Sequence, residues 1–323
     1  MSLPLIDGYL SYVSGIRRYS PRTQTIYRDV LDRFFEWLDA DNGDGCGLFT
    51  RQTLRSYEVH LLDEKGESPR TVNLHLSVLS GFFRYLMKEG KISANPVRLI
   101  SRPKTDKRLP LFYRQEAMEE YFRSTDYYVS DDFLGILLQT QDRSSYKRML
   151  SRLIISILYG TGIRRAELID LKRSSIDFSR SVLHVHGKGD KTRDIPVIPS
   201  LSKEISLYLT AVSSFICCES TPQTPLLLTP DGGKLYPVFV DRVIKDELGG
   251  IGSITGQKSP HVLRHTIASE LLGGGTDLNS IKEFLGHSSL AATQVYTHST
   301  IERLQSVYNN AHPRAKNGGN NGD

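Results

Sequence analysis

Apolar residues recur at three- and four-residue steps through the first hundred positions. Ile26, Val30, Phe34 and Trp37 form one such series, and Val72, Leu76, Leu79, Phe83 and Leu86 form another. That step lines one face of an α-helix, so this region reads as helical. Both series follow the same four letters, Ser20-Pro21-Arg22-Thr23 and Ser68-Pro69-Arg70-Thr71. A serine at the N-cap accepts from the free N–H groups of the first turn, and a proline at the first helical position gives up an N–H that has no partner there. The two copies are read as shared capping chemistry, since two units do not make a repeat array. Asp41 to Gly45 breaks the chain between helices. It has neither the alternate ligand spacing nor the glutamate twelve positions along that a calcium loop needs. Asn95-Pro96 closes the last helix, and the basic stretch from Arg98 to Pro110, with Pro103 and Pro110, reads as a linker.

Beyond Leu111 the pattern becomes mixed. Glu116 to Phe122 reads as helix, Tyr127 to Tyr146 holds at most a short helix over Phe133 to Leu138, and Lys147 to Leu158 is a strongly apolar helix ended by Gly160 and Gly162. Ala166 to Leu171 continues as helix. Val182-Leu183-His184-Val185-His186 alternates with the period of a strand, Gly187 to Asp190 is a turn, and Thr192 to Ile198 returns, which predicts a β-hairpin. Helices follow over Ser202 to Phe215 and Val238 to Leu248. Another is capped by Ser259 and ended by Gly273-Gly274-Gly275, and a short one runs from a cap at Asp277 to Gly286. Ser299 and Glu302 form a capping box for a last helix, and Ala315 to Asp323 is a Gly/Asn tail expected to be disordered.

Length and composition fit two ordinary domains: 323 residues, 39% hydrophobic and 24% charged. No apolar run reaches membrane-span length and no secretory leader is evident, so no membrane partner is expected. Three cysteines, Cys46 and the adjacent Cys217 and Cys218, argue against a disulfide framework and fit a reducing cytosol. Net charge is +5, and residues 1–108 carry most of it, with 17 Lys+Arg against 13 Asp+Glu. Arg84 to Arg108 holds eight basic residues against Glu89 and Asp106. Such clustering is the footprint of a nucleic-acid surface, although a solvated linker would look the same. Arg84, Arg98, Arg102, Lys104, Lys107 and Arg108 are the candidate DNA contacts.

The candidate chemistry lies in short boxes. Thr161-Gly162-Ile163-Arg164-Arg165-Ala166-Glu167-Leu168 follows a glycine break, and Gly187-Lys188-Gly189-Asp190-Lys191 forms the hairpin turn. His261-Val262-Leu263-Arg264-His265 opens a helix, and Leu285-Gly286-His287 is followed nine residues after the histidine by Tyr296. Arginines give charge-assisted, potentially bidentate hydrogen bonds to phosphate, and Arg264 lies one turn inside a helix N-terminus, which already favours an anion. A tyrosine can be a nucleophile if a base or a cationic pocket helps it ionise. His261 and His265 are also spaced as zinc ligands can be. Only His184 and His186 could complete that set and no water-activating carboxylate is evident, so neither metal nor other cofactor is expected. His265 is expected to support its helix by a hydrogen bond, and Glu167 to orient an active-site arginine or histidine.

These boxes resemble, in order, those of the tyrosine recombinase (phage-integrase-like) family, and the ending His312-Pro313-Arg314-Ala315 looks most like the bacterial Xer branch. The resemblance implies a mainly α protein with a small β-sheet, forming a two-domain C-shaped clamp on DNA. Its parts would be a helical, SAM-like core-binding domain over 1–97, a linker over 98–110, a catalytic domain over 111–314 and a tail over 315–323. It implies Tyr296 as nucleophile, Arg164, Arg264 and His287 as phosphate ligands, His261 as base and Lys188 as the acid for the leaving 5′-oxygen. A 3′-phosphotyrosyl intermediate would then be rejoined by another strand's 5′-hydroxyl. Implied partners are double-stranded DNA carrying a specific recombination site, a homotetramer or a heterotetramer with a paralogue, and a septal DNA translocase or other accessory protein. The setting would be the cytoplasm, on the nucleoid, and the task resolution of chromosome dimers in chromosome partition and cell division. A mobile-element integrase or DNA invertase would use the same chemistry, and a type IB topoisomerase shares much of it. The stretch from Arg114 to Arg152 is longer than the Xer pattern suggests.

Overall fold

The computed structural model describes residues 2–41, 49–105, 111–187, 192–216 and 221–286. The chain divides into two compact units, Met1–Arg108 and Leu109–Asp323.

The first unit is helical. It contains α1 (Ser2–Gly15), α2 (Pro21–Asp41), α3 (Arg51–Val59), which runs on through one π-turn at His60–Glu64, and α4 (Pro69–Lys88). The shared capping motif works as its chemistry requires, with Ser20 Oγ accepting from Thr23 N–H at 3.3 Å and Ser68 Oγ from Thr71 N–H at 3.2 Å. The core is aromatic. Phe34 meets Tyr57 edge-on at 5.0 Å between centroids, and Tyr9 meets Phe82 at 5.5 Å, arrangements that suit the ring quadrupoles. A 3₁₀ turn at Pro96–Leu99 follows, capped by the Asn95 side chain, which also donates to the Ser80 carbonyl of α4.

The second unit is built around α7 (Arg143–Thr161), in which every residue from Met149 to Thr161 is buried. A helix buried on all sides needs neighbours all round it. Here α9 (Pro199–Phe215), α10 (Pro237–Gly249) and α11 (Pro260–Gly273) pack against it. The remaining helices are α5 (Gln115–Thr125), α6 (Asp131–Thr140), α8 (Arg165–Asp170) and α12 (Leu278–Leu285). Strands β1 (Ile176–Asp177), β2 (Val182–His186) and β3 (Thr192–Pro196) form one antiparallel sheet in that order, with Leu183 opposite Ile195 and Val185 opposite Arg193. The mainly α architecture with a small sheet and hairpin is the one expected.

Several elements differ from the sequence reading. α5 runs three residues past its predicted end, and α7 starts four residues before its predicted start. β1 has two residues, too few to show any period. α9 begins at Pro199, three residues before the predicted start, because the proline opens the helix without a side-chain cap at Ile198. The stretch from Tyr127 to Tyr146 is ordered more fully than its pattern suggests. Ser130 caps α6 by accepting from Phe133 N–H, and Gln141, in the left-handed conformation, ends it. That stretch joins the core through Phe133, Leu134, Leu137 and Tyr146, and the residues flanking it do so too. Arg152 is fully buried, pairs with Asp126 at 3.2 Å and Glu204 at 3.3 Å, and stacks over Phe122. Among the described residues, no helix is long and apolar enough to cross a membrane.

Candidate active site

Gly162 ends α7 in the left-handed conformation, at φ +60°, with Leu285 and Ile267 packed against its α-carbon. A Cβ there would stand 2.7 Å from Leu285 Cδ2, so glycine is required on two counts. The turn delivers Arg164 to the N-cap of α8. Glu167, three residues on, accepts from the Arg164 backbone N–H at 2.9 Å and from its Nη1 at 2.9 Å. The spacing of the arginine box is therefore a helix-capping spacing: the carboxylate closes the first turn and holds the arginine in the same act.

Arg264 arrives from α11, whose first turn is capped by Ser259 with Pro260 following. Its Nη1 donates to the Gly162 carbonyl and its Nη2 to the Leu285 carbonyl, both at 2.5 Å. These carbonyls close the C-terminal ends of α7 and α12, where backbone dipoles favour a cation. Arg164 Nη2 reaches the next carbonyl, that of Gly286, at 3.4 Å. The two arginines thus converge on the end of α12, and His287 is the following residue in the chain. Arg164 is 39% exposed while Arg264 is buried.

A third guanidinium, unforeseen in the sequence, completes the cluster. Arg193 of β3 donates through Nη1 to Glu167 Oε1 at 3.2 Å and through Nη2 to Oε2 at 2.8 Å. Two guanidiniums hold one carboxylate and Arg264 lies near enough to be coupled to it, leaving an excess of two positive charges. Burial pushes the Glu167 carboxyl up, but hydrogen bonds from Arg193 and Arg164 outweigh it and hold the group below the usual glutamate range. Arg264 is lowered to about 10, by burial first and then by Arg164 and Arg193, and it remains charged at neutral pH. A site with such an excess is built to receive an anion.

His261 is exposed on the first turn of α11, beside a hollow also lined by Arg165, Asp241, Lys245 and Lys258. Burial, then the charges of Arg165, His265, Arg264 and Arg164, lower its pKa from the ordinary histidine value. That shift favours the neutral form of the ring, the form that can accept a proton. His265 is exposed one turn on, and the hydrogen bond expected of it forms with no described residue, because its side chain points away from the buried face that Arg264 and Thr266 occupy. His184 binds Asp194 across the hairpin at 2.6 Å, and His186 is exposed. Among the described residues no group of three or more His, Cys, Asp or Glu could hold a metal ion.

Lys188, His287 and Tyr296 lie outside the described residues, as do Lys107 and Arg108. Of the candidate DNA contacts, Arg102 and Lys104 share a surface hollow with Arg70 and Asn73, and Arg102 is fixed there by donating to Ser77 Oγ at 2.8 Å. Arg84 and Arg98 are exposed but do not line it.

A model of the phage integrase family matches residues 131–303, and one of the phage integrase N-terminal SAM-like domain matches residues 6–90. Tyrosine recombinase XerC of Chlorobaculum parvum (strain DSM 263 / NCIMB 8327) is 34% identical over 319 residues, covering 96% of this chain and 94% of that protein. Tyrosine recombinase XerC of Bacillus subtilis (strain 168) is 32% identical over 311 residues, covering 95% of each. In fold, the chain is similar to the XerH site-specific recombinase in its post-cleavage complex with a palindromic difH substrate. The TM-score is 0.67 at 22% identity, over 90% of this chain and 80% of that one. With the arginine cluster, the flanking boxes and relatives matched over nearly their whole length, the chain belongs to the phage integrase family, the tyrosine recombinases.

Proposed function

We propose that this protein is a metal-independent site-specific recombinase of the Xer type, which cuts and rejoins double-stranded DNA through a 3′-phosphotyrosyl intermediate. The observation that carries this is the cationic cluster of Arg164 and Arg264 on the end of α12, from which the chain leads into His287 and, nine residues later, Tyr296.

The arrangement suits phosphodiester exchange. As the phosphate becomes five-coordinate it gains negative charge. Arg164 and Arg264 keep further N–H groups, beyond those bound to carbonyls and Glu167, to meet its non-bridging oxygens. His287 adds a donor. His261, in its neutral form, accepts the proton of Tyr296 as its oxygen attacks. Lys188, in the stretch of sequence between β2 and β3, protonates the departing 5′-oxygen. The phosphotyrosyl bond conserves the energy of the broken phosphodiester, so a second 5′-hydroxyl can displace Tyr296 with no nucleotide cofactor. DNA of a two-armed recombination site is the proposed substrate, with four subunits, of this chain alone or with a paralogue, carrying out exchange at two sites. The hollow of Arg70, Arg102 and Lys104 is proposed as a contact to the DNA backbone. Resolution of chromosome dimers is the proposed task, in line with the relatives named XerC.

The test is covalent trapping. On a nicked duplex that loses its 5′-hydroxyl fragment after cleavage, the parent protein accumulates a protein–DNA adduct on a denaturing gel. Tyr296→Phe binds the same duplex with parent affinity and forms none. An adduct of normal yield in Tyr296→Phe would overturn the assignment.

A further inference from the structure

Arg193 is charged, buried and placed where three parts of the site meet, and the reaction outlined above makes no use of it. On β3 it shares the inward face with Ile195, opposite Val185 of β2, a face otherwise filled by apolar side chains. Its fork closes on both oxygens of Glu167, and its side chain lies close to Gly286, which caps α12. A Cβ added at Gly286, itself at φ +65°, would stand 3.0 Å from Arg193 Cδ, Nε and Cζ. Its Nε–H has no partner among the described residues. A guanidinium costs much to bury, so one spent on a single carboxylate needs a reason.

The reason is visible in what Glu167 does. That carboxylate holds the Arg164 guanidinium by one hydrogen bond and the Arg164 backbone by another. Apart from its long bond to the Gly286 carbonyl, Arg164 is a part-exposed arginine held by one carboxylate. Arg193 anchors the carboxylate from behind and leaves it a single orientation. Arg193 is also one residue past Thr192, where β3 begins, and five positions after Lys188 in the chain, and it touches Gly286, which precedes His287.

We propose, resting on the recombinase reading, that Arg193 is a positioning residue for the phosphate clamp: through Glu167 it fixes Arg164, and it ties that arginine to the hairpin strand and to the end of α12. Glu167 also has to remain ionised to hold Arg164, and Arg193 is the main influence that keeps it so against burial. The groups facing Glu167 are Arg164 on its own element and Arg193 from the sheet, with Arg264 close enough to be coupled to all three.

The experiment measures single-turnover cleavage of the nicked duplex by the full-length protein and its variants. Arg193→Met slows adduct formation by on the order of tenfold or more, as expected for one member of a tight network. Arg193→Lys keeps the charge but not the fork, and lies between Met and the parent. In a Glu167→Gln background, replacing Arg193 by Met costs less than about threefold more, since Arg193 then has no carboxylate to hold. The pH profile supplies a readout that a purely structural role would not move. Without its fork, Glu167 takes up a proton at higher pH, so Arg193→Met loses cleavage at a higher pH than the parent, whose own acid limb is that of the His261 base, and adding Glu167→Gln returns the limb to the parent's position. Site affinity and melting temperature, measured alongside, show whether each variant is folded.

A folded Arg193→Met that cleaves within about threefold of the parent overturns the inference. So does a defect of equal size in both Glu167 backgrounds, or an unmoved pH profile. If Arg193→Met does not fold, a folded Arg193→Lys with parent rate and profile overturns it equally. A parent chain that forms no Tyr296-linked adduct strikes the recombinase reading instead, so the two failures are distinct.

Discussion

At the residue scale, the two arginines of the clamp have divided tasks. Arg264 spends N–H groups on the carbonyls that end α7 and α12, whereas Arg164 is held by Glu167 and is substantially exposed. Arg264→Ala leaves those buried carbonyls without a donor and should lower unfolding stability by roughly 2–4 kcal/mol, read from the urea midpoint, while Arg164→Ala should cost about 1 kcal/mol or less. Both should abolish cleavage. His261 gives a direct titration: its NMR signals in the DNA-free protein should shift with a midpoint below the ordinary 6.5, because Arg165, His265, Arg264 and Arg164 all oppose its charging. Lys188 is tested by the leaving group. An alkoxide leaves poorly without a proton and a thiolate leaves readily. Lys188→Ala should therefore be slow on an ordinary 5′-oxygen bridge and close to parent on a 5′-sulfur bridge. Arg164→Ala should gain nothing from sulfur, since its proposed task is to hold the phosphate's charge. Equal defects of Lys188→Ala on both substrates would remove it from the acid role and make Lys191 the next residue to test.

At the scale of elements, what could be read in the sequence was whatever local chemistry determines. The two Ser-Pro caps, the hairpin of β2 and β3, the cap of α11 at Ser259 and the Asp277 to Gly286 limits of α12 all rest on side chains bonding within one turn or on a period of two, and all appear as read. α6 was legible only in its middle, because its length is set by Ser130 and by packing of Phe133, Leu134 and Leu137 on distant helices. Arg193 was missed for a related reason. One arginine in a strand looks solvated, and the readable signal was its parity with Ile195 and Val197, which puts a charge on the inward side. A similar buried polar contact joins α3 to α4, where Tyr57 Oη and His75 Nδ1 share a hydrogen bond at 3.0 Å. Burial, and then Arg33, lower the His75 pKa to about 4 against a partial opposing pull from Glu67. The unfolded chain takes up a proton near pH 6.5 and the folded one only near 4, so stability is full above 6.5 and declines as pH falls between those values. The loss is on the order of 3 kcal/mol at its limit. Carboxylates titrate in part of the same window, so the measure is the difference between chains. His75→Gln should give a flatter dependence of urea midpoint on pH from 6.5 to 4 than the parent.

At the scale of the whole molecule, the charge asymmetry of the sequence becomes a specific surface. The first unit carries most of the net charge, and in it Arg70 at the start of α4 joins Arg102 and Lys104 around one hollow. Charge counting alone could not group these three, since Arg70 is some thirty positions from the other two and meets them only because the chain after the 3₁₀ turn runs back along α4. That return is pinned by Asn73 donating to the Pro103 carbonyl at 2.9 Å and by Arg102 on Ser77. Arg102, so held, gives up less freedom on meeting a phosphate than a swinging side chain would, which supports the proposed backbone contact here. Each phosphate contact on duplex DNA releases condensed counterions, and its loss reduces the slope of log K against log[salt] by roughly 0.9. Replacing Arg70, Arg102 and Lys104 together by alanine should therefore flatten the slope by up to about 2.7 if all three touch phosphates. Binding should weaken by the same factor on a recombination site and on unrelated duplex, because phosphate contacts carry no base information. A changed slope with an unequal loss would mean that one of the three reads bases. An unchanged slope would show that the hollow does not meet DNA, and would leave the charge of the first unit as ordinary solvated surface.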